Sequence, residues 1–217
     1  MRSIIRRLEA ILWPRALQCL CCPECTDGQL LCPSCRAELR SLRLEAHRGS
    51  HHSVWAYAGC AKRLVTGLKH DCIADCAAVM GREMAEAVKR LELPADTVMT
   101  WVTMPENRRR VRGIDHGRLL CETIAGYVGM PAEQLLVRQG RIHTQRGLNR
   151  EKRLSNLQGS FAAAKELQGT VLLIDDVMTT GATADASSAV LYEAGAAQVV
   201  VLTATRVLRR PEKKKRG

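Results

Sequence analysis

VLLIDDVMTTGAT, residues 171–183, is the stretch that decides the fold. Val171, Leu172, Leu173 and Ile174 form an unbroken apolar run, the pattern of a strand covered on both faces. Asp175 and Asp176 follow, which puts two carboxylates at the carboxyl end of that strand. A hydroxyl-rich loop, Thr179 to Thr183, comes next, and an alanine-rich helical pattern runs from there to Gly195, the expected helix stop. The N-terminus of such a helix offers free N–H groups and a partial positive charge, which suit a phosphate. Gly181 lets the backbone approach a ligand closely. The hydroxyls of Thr179, Thr180 and Thr183 can donate to phosphate oxygens. Adjacent carboxylates facing one ligand could hold vicinal hydroxyls, with or without a hard cation. A plain βα turn with a capping acid is the simpler alternative, but a cap needs one acid rather than two acids and three threonines.

Outward from this stretch, the pattern is that of one α/β domain with a small appendage, which 217 residues accommodate. Strands are expected at about 53–58, 97–104, 133–138 and 198–204. Helices are expected at about 60–69 and 73–91, and from Asp115, as N-cap, to about Val128. After Pro105 comes a loop holding Arg108, Arg109, Arg110 and Arg112. Arginine forks bind phosphate oxygens bidentately, so this loop is a candidate pyrophosphate clamp, and a solvated basic loop is the equal alternative. Residues 138–156 form the longest irregular polar stretch, rich in arginine, with glycines at 140 and 147. Its length and charge fit a mobile loop that closes on an anion.

The appendage is N-terminal. Residues 1–18 read as an amphipathic helix with Ile4, Ile5, Leu8, Ile11 and Leu12 on one face. Residues 19–40 carry Cys22-x-x-Cys25 and Cys32-x-x-Cys35, six residues apart, a frame for tetrahedral zinc in a closed structural site. Cys19 and Cys21 are left over, either to replace Cys22 as ligand or to form part of a second site. Residues 36–52 read as a charged linker. The domain proper spans 53–206, and 207–217 form a basic tail with the composition of disorder. Neither a signal peptide nor a run of roughly 20 apolar residues is present. The expected compartment is therefore the cytoplasm, where clustered cysteines more often bind metal than pair. A formal charge of +11 favours anionic partners, a phosphorylated substrate or DNA. The seven aromatics are scattered, which argues against a stacking platform for single strands.

The strand, acid pair and Thr/Gly loop resemble the phosphoribosyl-pyrophosphate (PRPP) signature of type I phosphoribosyltransferases. The resemblance extends further. It includes the CxxC pairs, Tyr57-Ala58-Gly59 followed by Leu68-Lys69, and Met104-Pro105 with the arginine loop and Arg112-Gly113. It also includes Arg138 with Gln145 and Leu148, and Arg153 with Asn156 and Phe161. On these residues the chain is identified as a member of the ComF family, from Cys19 to Arg206. The resemblance implies a type I phosphoribosyltransferase-like parallel sheet flanked by helices, behind a small zinc-binding segment. It implies that Asp175 and Asp176 face the ribose hydroxyls and that Thr179, Thr180, Gly181, Ala182 and Thr183 cradle the 5-phosphate. Arg109, Arg110 and Arg112 would neutralise pyrophosphate, and a loop marked by Arg138, Gln145 and Arg153 would close over it. Cys22, Cys25, Cys32 and Cys35 would hold structural zinc, and Mg²⁺ would accompany PRPP. The implied activity is phosphoribosyl transfer to an acceptor, with pyrophosphate released. The alternative is a non-enzymatic competence factor that handles single-stranded DNA or senses PRPP. The chain departs from the family in showing one complete cysteine quartet, in reading Arg112-Gly113-Ile114-Asp115-His116, and in placing Thr179 where some relatives have a general base.

Overall fold

The structure, a computed structural model, describes residues 18–24, 26, 28–44, 49–138 and 160–208. The expectations for the N-terminal helix, for Cys25, for Gln145 and Arg153 in the polar loop, and for the tail beyond residue 208 lie outside these residues.

The elements in chain order are α1 (Pro33–Ser41), β1 (His51–Ala56), α2 (Gly59–His70), α3 (Ala74–Lys89), β2 (Val98–Trp101) and α4 (Glu106–Arg112). They continue with α5 (His116–Val128), β3 (Leu136–Arg138), β4 (Phe161–Ala163), β5 (Thr170–Met178), α6 (Ala182–Glu193) and β6 (Gln198–Arg206). Four strands form one parallel sheet in the order β1-β6-β5-β2, with helices on its faces. β3 and β4 make a separate antiparallel pair.

Alternation along β5 sets the two cores. Leu172 and Ile174 join a cluster with Leu64, Leu68, Met80 and Leu120 from the helices α2, α3 and α5. Val171 and Leu173 face the other way, into a cluster with Leu191 of α6 and Leu136 of β3. A strand covered on both faces needs apolar residues at every position, which is why the run is unbroken.

Two sequence expectations are corrected. Residues 36–52 are not a plain linker: α1 occupies 33–41, started by Pro33 and by the Cys32 side chain accepting the Cys35 N–H. Its Leu39 belongs to the main core. The arginine stretch after Pro105 is not a loop but the helix α4. Glu106 in its first turn pairs with Arg109 at 2.8 Å and Arg110 at 3.4 Å, the spacings that stabilise a helix turn. Gly113 stops it with φ +72°, a conformation glycine adopts without cost. Asp115 caps α5 as expected, accepting the Arg118 N–H at 3.1 Å.

Candidate functional site

All four parallel strands point their carboxyl ends at the same rim, where ligands of open α/β sheets bind. β5 is a central strand there, and it runs on through the acid pair to Met178. The acids are therefore strand residues, as the sequence placed them, and the strand runs on past them. Asp175 lines a small pocket with Thr179, Gly181, Thr183 and Thr203. Gly181 is the N-cap of α6, at φ +88°. The Thr180 hydroxyl accepts the Ala182 N–H at 3.3 Å and so steadies the turn. Ala182 itself is buried. The pocket thus joins one carboxyl, three threonines and the open end of a twelve-residue helix.

The two acids have different surroundings. Asp175 Oδ1 accepts the Asp176 N–H at 2.8 Å. Burial and the neighbouring Asp176 charge push the Asp175 carboxyl up to about 8, against the opposing pull of Lys69. Asp176 is buried, and its Oδ1 lies 2.7 Å from Lys69 Nζ at the last turn of α2. In the sequence Lys69 entered only through the family resemblance, and no local motif ties it to an acid more than a hundred residues away.

Arg138, the last residue of β3, also reaches this rim. Its guanidinium lies 4.6 Å from the centroid of the Phe161 ring, the geometry of a cation–π contact. Burial lowers its pKa to about 10, and the nearby Arg108 adds to the effect while Asp175 opposes it. Its Nε is buried with no hydrogen-bond partner among the described residues. Arg109 and Arg110 stand exposed on α4, each held by Glu106. Arg112 lies in the same helix.

The N-terminal cysteines form a second site. Cys19, Cys22, Cys32 and Cys35 bring their sulfurs within 4.8 Å of one another. Cys22 and Cys32 are 3.6 Å apart, close to the ~3.8 Å edge of a tetrahedron with Zn–S bonds of about 2.3 Å. This donor set fits a metal ion. Burial raises the Cys19 thiol, but N–H groups of Cys32, Cys21 and Cys22 outweigh it and bring it to about 7. Cys19 thus stands beside three of the four expected ligands. The signal was in the sequence, since Cys19-x-x-Cys22 overlaps Cys22-x-x-Cys25. Cys35 also belongs to a group with Glu38 and Cys60. There Arg63 donates to Glu38 at 2.6 Å and to the Cys60 sulfur at 3.1 Å, tying the cysteine segment to α2.

No family model matches the chain. It is 30% identical over 162 residues to the DNA utilization protein YhgH of Salmonella typhi, covering 72% of this chain and 71% of that protein. It is 29% identical over 122 residues to competence protein F of Haemophilus influenzae, covering 54% and 52% respectively. Among solved structures, it is similar to the allosteric regulatory enzyme of purine biosynthesis, at TM-score 0.39 and 19% identity. That match covers 59% of this chain and about a quarter (26%) of the other. It is also similar to the phosphoribosylpyrophosphate synthetase of Mycobacterium smegmatis, at TM-score 0.37 and 22% identity, covering 60% and 34%.

Proposed function

The chain belongs to the ComF family of competence and DNA utilization proteins, and we propose that it binds PRPP and transfers its phosphoribosyl group to an acceptor. The observation that carries this reading is the pocket that Asp175 shares with Thr179, Gly181 and Thr183 at the N-terminus of α6. In this reading the α6 terminus and the threonine hydroxyls hold the 5-phosphate, a task suited to unsatisfied N–H groups. Asp175, largely neutral at pH 7, meets a ribose hydroxyl without repelling the anion beside it. Arg138 neutralises departing pyrophosphate from the rim, aided by Arg112 and by Arg109 and Arg110 as these two leave Glu106. The nucleophile attacks C1 as the C1–O bond to pyrophosphate breaks, and the chain's contribution is positioning and charge neutralisation.

The acid pair does not fit a directly held Mg²⁺, because Asp176 is already bonded to Lys69. Mg²⁺ would instead enter on the pyrophosphate oxygens of PRPP. Zinc on Cys19, Cys22, Cys32 and Cys35 would fix the 19–40 segment against the 53–206 domain, as a closed site with no open position for chemistry. A second reading, DNA handling, is supported by the names of the relatives and the +11 charge.

The test of the first reading is a melting curve with and without PRPP. Saturating PRPP should raise the melting temperature of the wild type, since a ligand bound only by the folded state stabilises it. Gly181→Val should abolish the rise, because valine is strained at that positive φ. A PRPP shift retained in Gly181→Val would move the ligand away from this turn.

A further inference from the structure

We propose that Lys69 is the resident counter-cation of the acid pair, so that a ribose phosphate binds this site with no divalent cation on Asp175 or Asp176. The proposal rests on the ribose-phosphate reading of the pocket.

Three observations carry it. The Lys69 ammonium sits 2.7 Å from Asp176 Oδ1, and the Asp176 side chain is only 7% exposed. That nearly buried carboxylate therefore already has a cationic partner from another element. Asp175 Oδ1 in turn accepts the Asp176 N–H. One oxygen of each carboxylate is thus committed inside the protein. Mg²⁺ demands near-octahedral oxygen geometry and gives up its waters reluctantly. A pair with one oxygen on an ammonium and another on a backbone N–H offers it fewer free oxygens, and those beside a resident positive charge.

The placement of Lys69 also exceeds what a helix terminus requires. A cation in the last turn of α2 is favoured by the helix dipole wherever it points. Here it also reaches a buried acid on β5, across the gap between two elements that the main core joins. A buried carboxylate left without a partner is costly, and Lys69 is the partner that this one has. An ammonium has three donors, so the bond to Asp176 leaves donors for a ligand oxygen. Lys69 is thus a positioning residue: it holds Asp176 and supplies, from the chain, the positive charge that a metal would otherwise bring.

The test uses ribose 5-phosphate, PRPP and Mn²⁺ as probes on the metal-loaded full chain. Calorimetry in buffer without divalent cations is compared with the same buffer containing millimolar Mg²⁺. The wild type should bind ribose 5-phosphate alike in both, within about twofold. Lys69→Met should lose about tenfold or more without Mg²⁺ and regain most of it with Mg²⁺. A merely structural role for Lys69 gives no such rescue. Lys69→Arg keeps the charge and should keep cation-independence, which guards against a fold defect in Lys69→Met. Wild-type affinity that climbs about tenfold with Mg²⁺, or a Lys69→Met loss that Mg²⁺ fails to restore, would overturn the proposal. If no variant binds ribose 5-phosphate or PRPP, the ribose-phosphate reading fails, and Mn²⁺ relaxation still decides the cation question. Lys69→Met should then gain a Mn²⁺ site that Lys69→Met/Asp176→Asn lacks, and the same site in the wild type would contradict the proposal.

Discussion

Asp175 and Asp176 are neighbours of one chemical type that the fold sets to different work. Asp175 opens on the threonine pocket, with its ionisation pushed up to about 8 by burial and by the Asp176 charge. Asp176 is instead paired with Lys69, its Oδ1 2.7 Å from the ammonium. The raised Asp175 value has two consequences. Stability contributed by the neutral carboxyl is present at low pH and is lost as pH rises from the ordinary carboxylate range through about 8. Asp175→Asn cannot ionise, so its melting temperature should decline less than that of the wild type between pH 5 and pH 9, by about 2 °C or more. The second consequence concerns the ligand. Ribose 5-phosphate is an anion, so its affinity should fall as pH rises through about 8, and Asp175→Asn should flatten that fall. A pH-independent wild-type affinity across this range would show that Asp175 does not face the ligand.

At the level of elements, β5 was legible because burial on both faces demands an unbroken apolar run, and Val171 to Ile174 supply one. α6 was legible from its glycines, since Gly181 and Gly195 bracket the alanine-rich pattern. α4 was not: four arginines carry no apolar periodicity, and only the Glu106 pairings with Arg109 and Arg110 reveal why the turn is helical. The acid pair was legible at the carboxyl end of β5, but the run past it to Met178 was not, because that run rests on pairing to β6 through Val177 and Met178. Lys69 was unreadable as a site residue because its partner comes from a distant strand. The α4 pairings are exposed, so Glu106→Gln should leave the melting temperature unchanged. Freed from Glu106, Arg109 and Arg110 should instead bind pyrophosphate more tightly at low salt, which calorimetry would read as a smaller Kd. β5 is the opposite case. Leu173 is fully buried, and Leu173→Ala should cost about 2–5 kcal/mol in denaturant unfolding.

Over the whole molecule, the cysteine segment is part of the main core and not a detached knuckle. Cys19, Leu31, Cys32, Cys35 and Leu39 share one buried cluster with Trp55, Leu64 and Met80. If the cysteines hold zinc, its chelation should therefore lower the melting temperature of the entire chain in one transition, and two separate transitions would show that the segment folds on its own. The two chemically loaded regions meet on α2, which bears Cys60 and Arg63 toward the cysteines and Lys69 toward the acid pair. Among the described residues no helix is long and apolar enough to cross a membrane. Whether the Asp175–Thr183 pocket holds PRPP is decided by calorimetry of PRPP binding to the wild type and to Asp175→Ala/Thr183→Val. The wild type should bind with micromolar affinity, about −8 kcal/mol, reduced about a hundredfold in the double variant. Undiminished binding in that variant, or no binding by the folded, metal-loaded wild type, would contradict the PRPP reading.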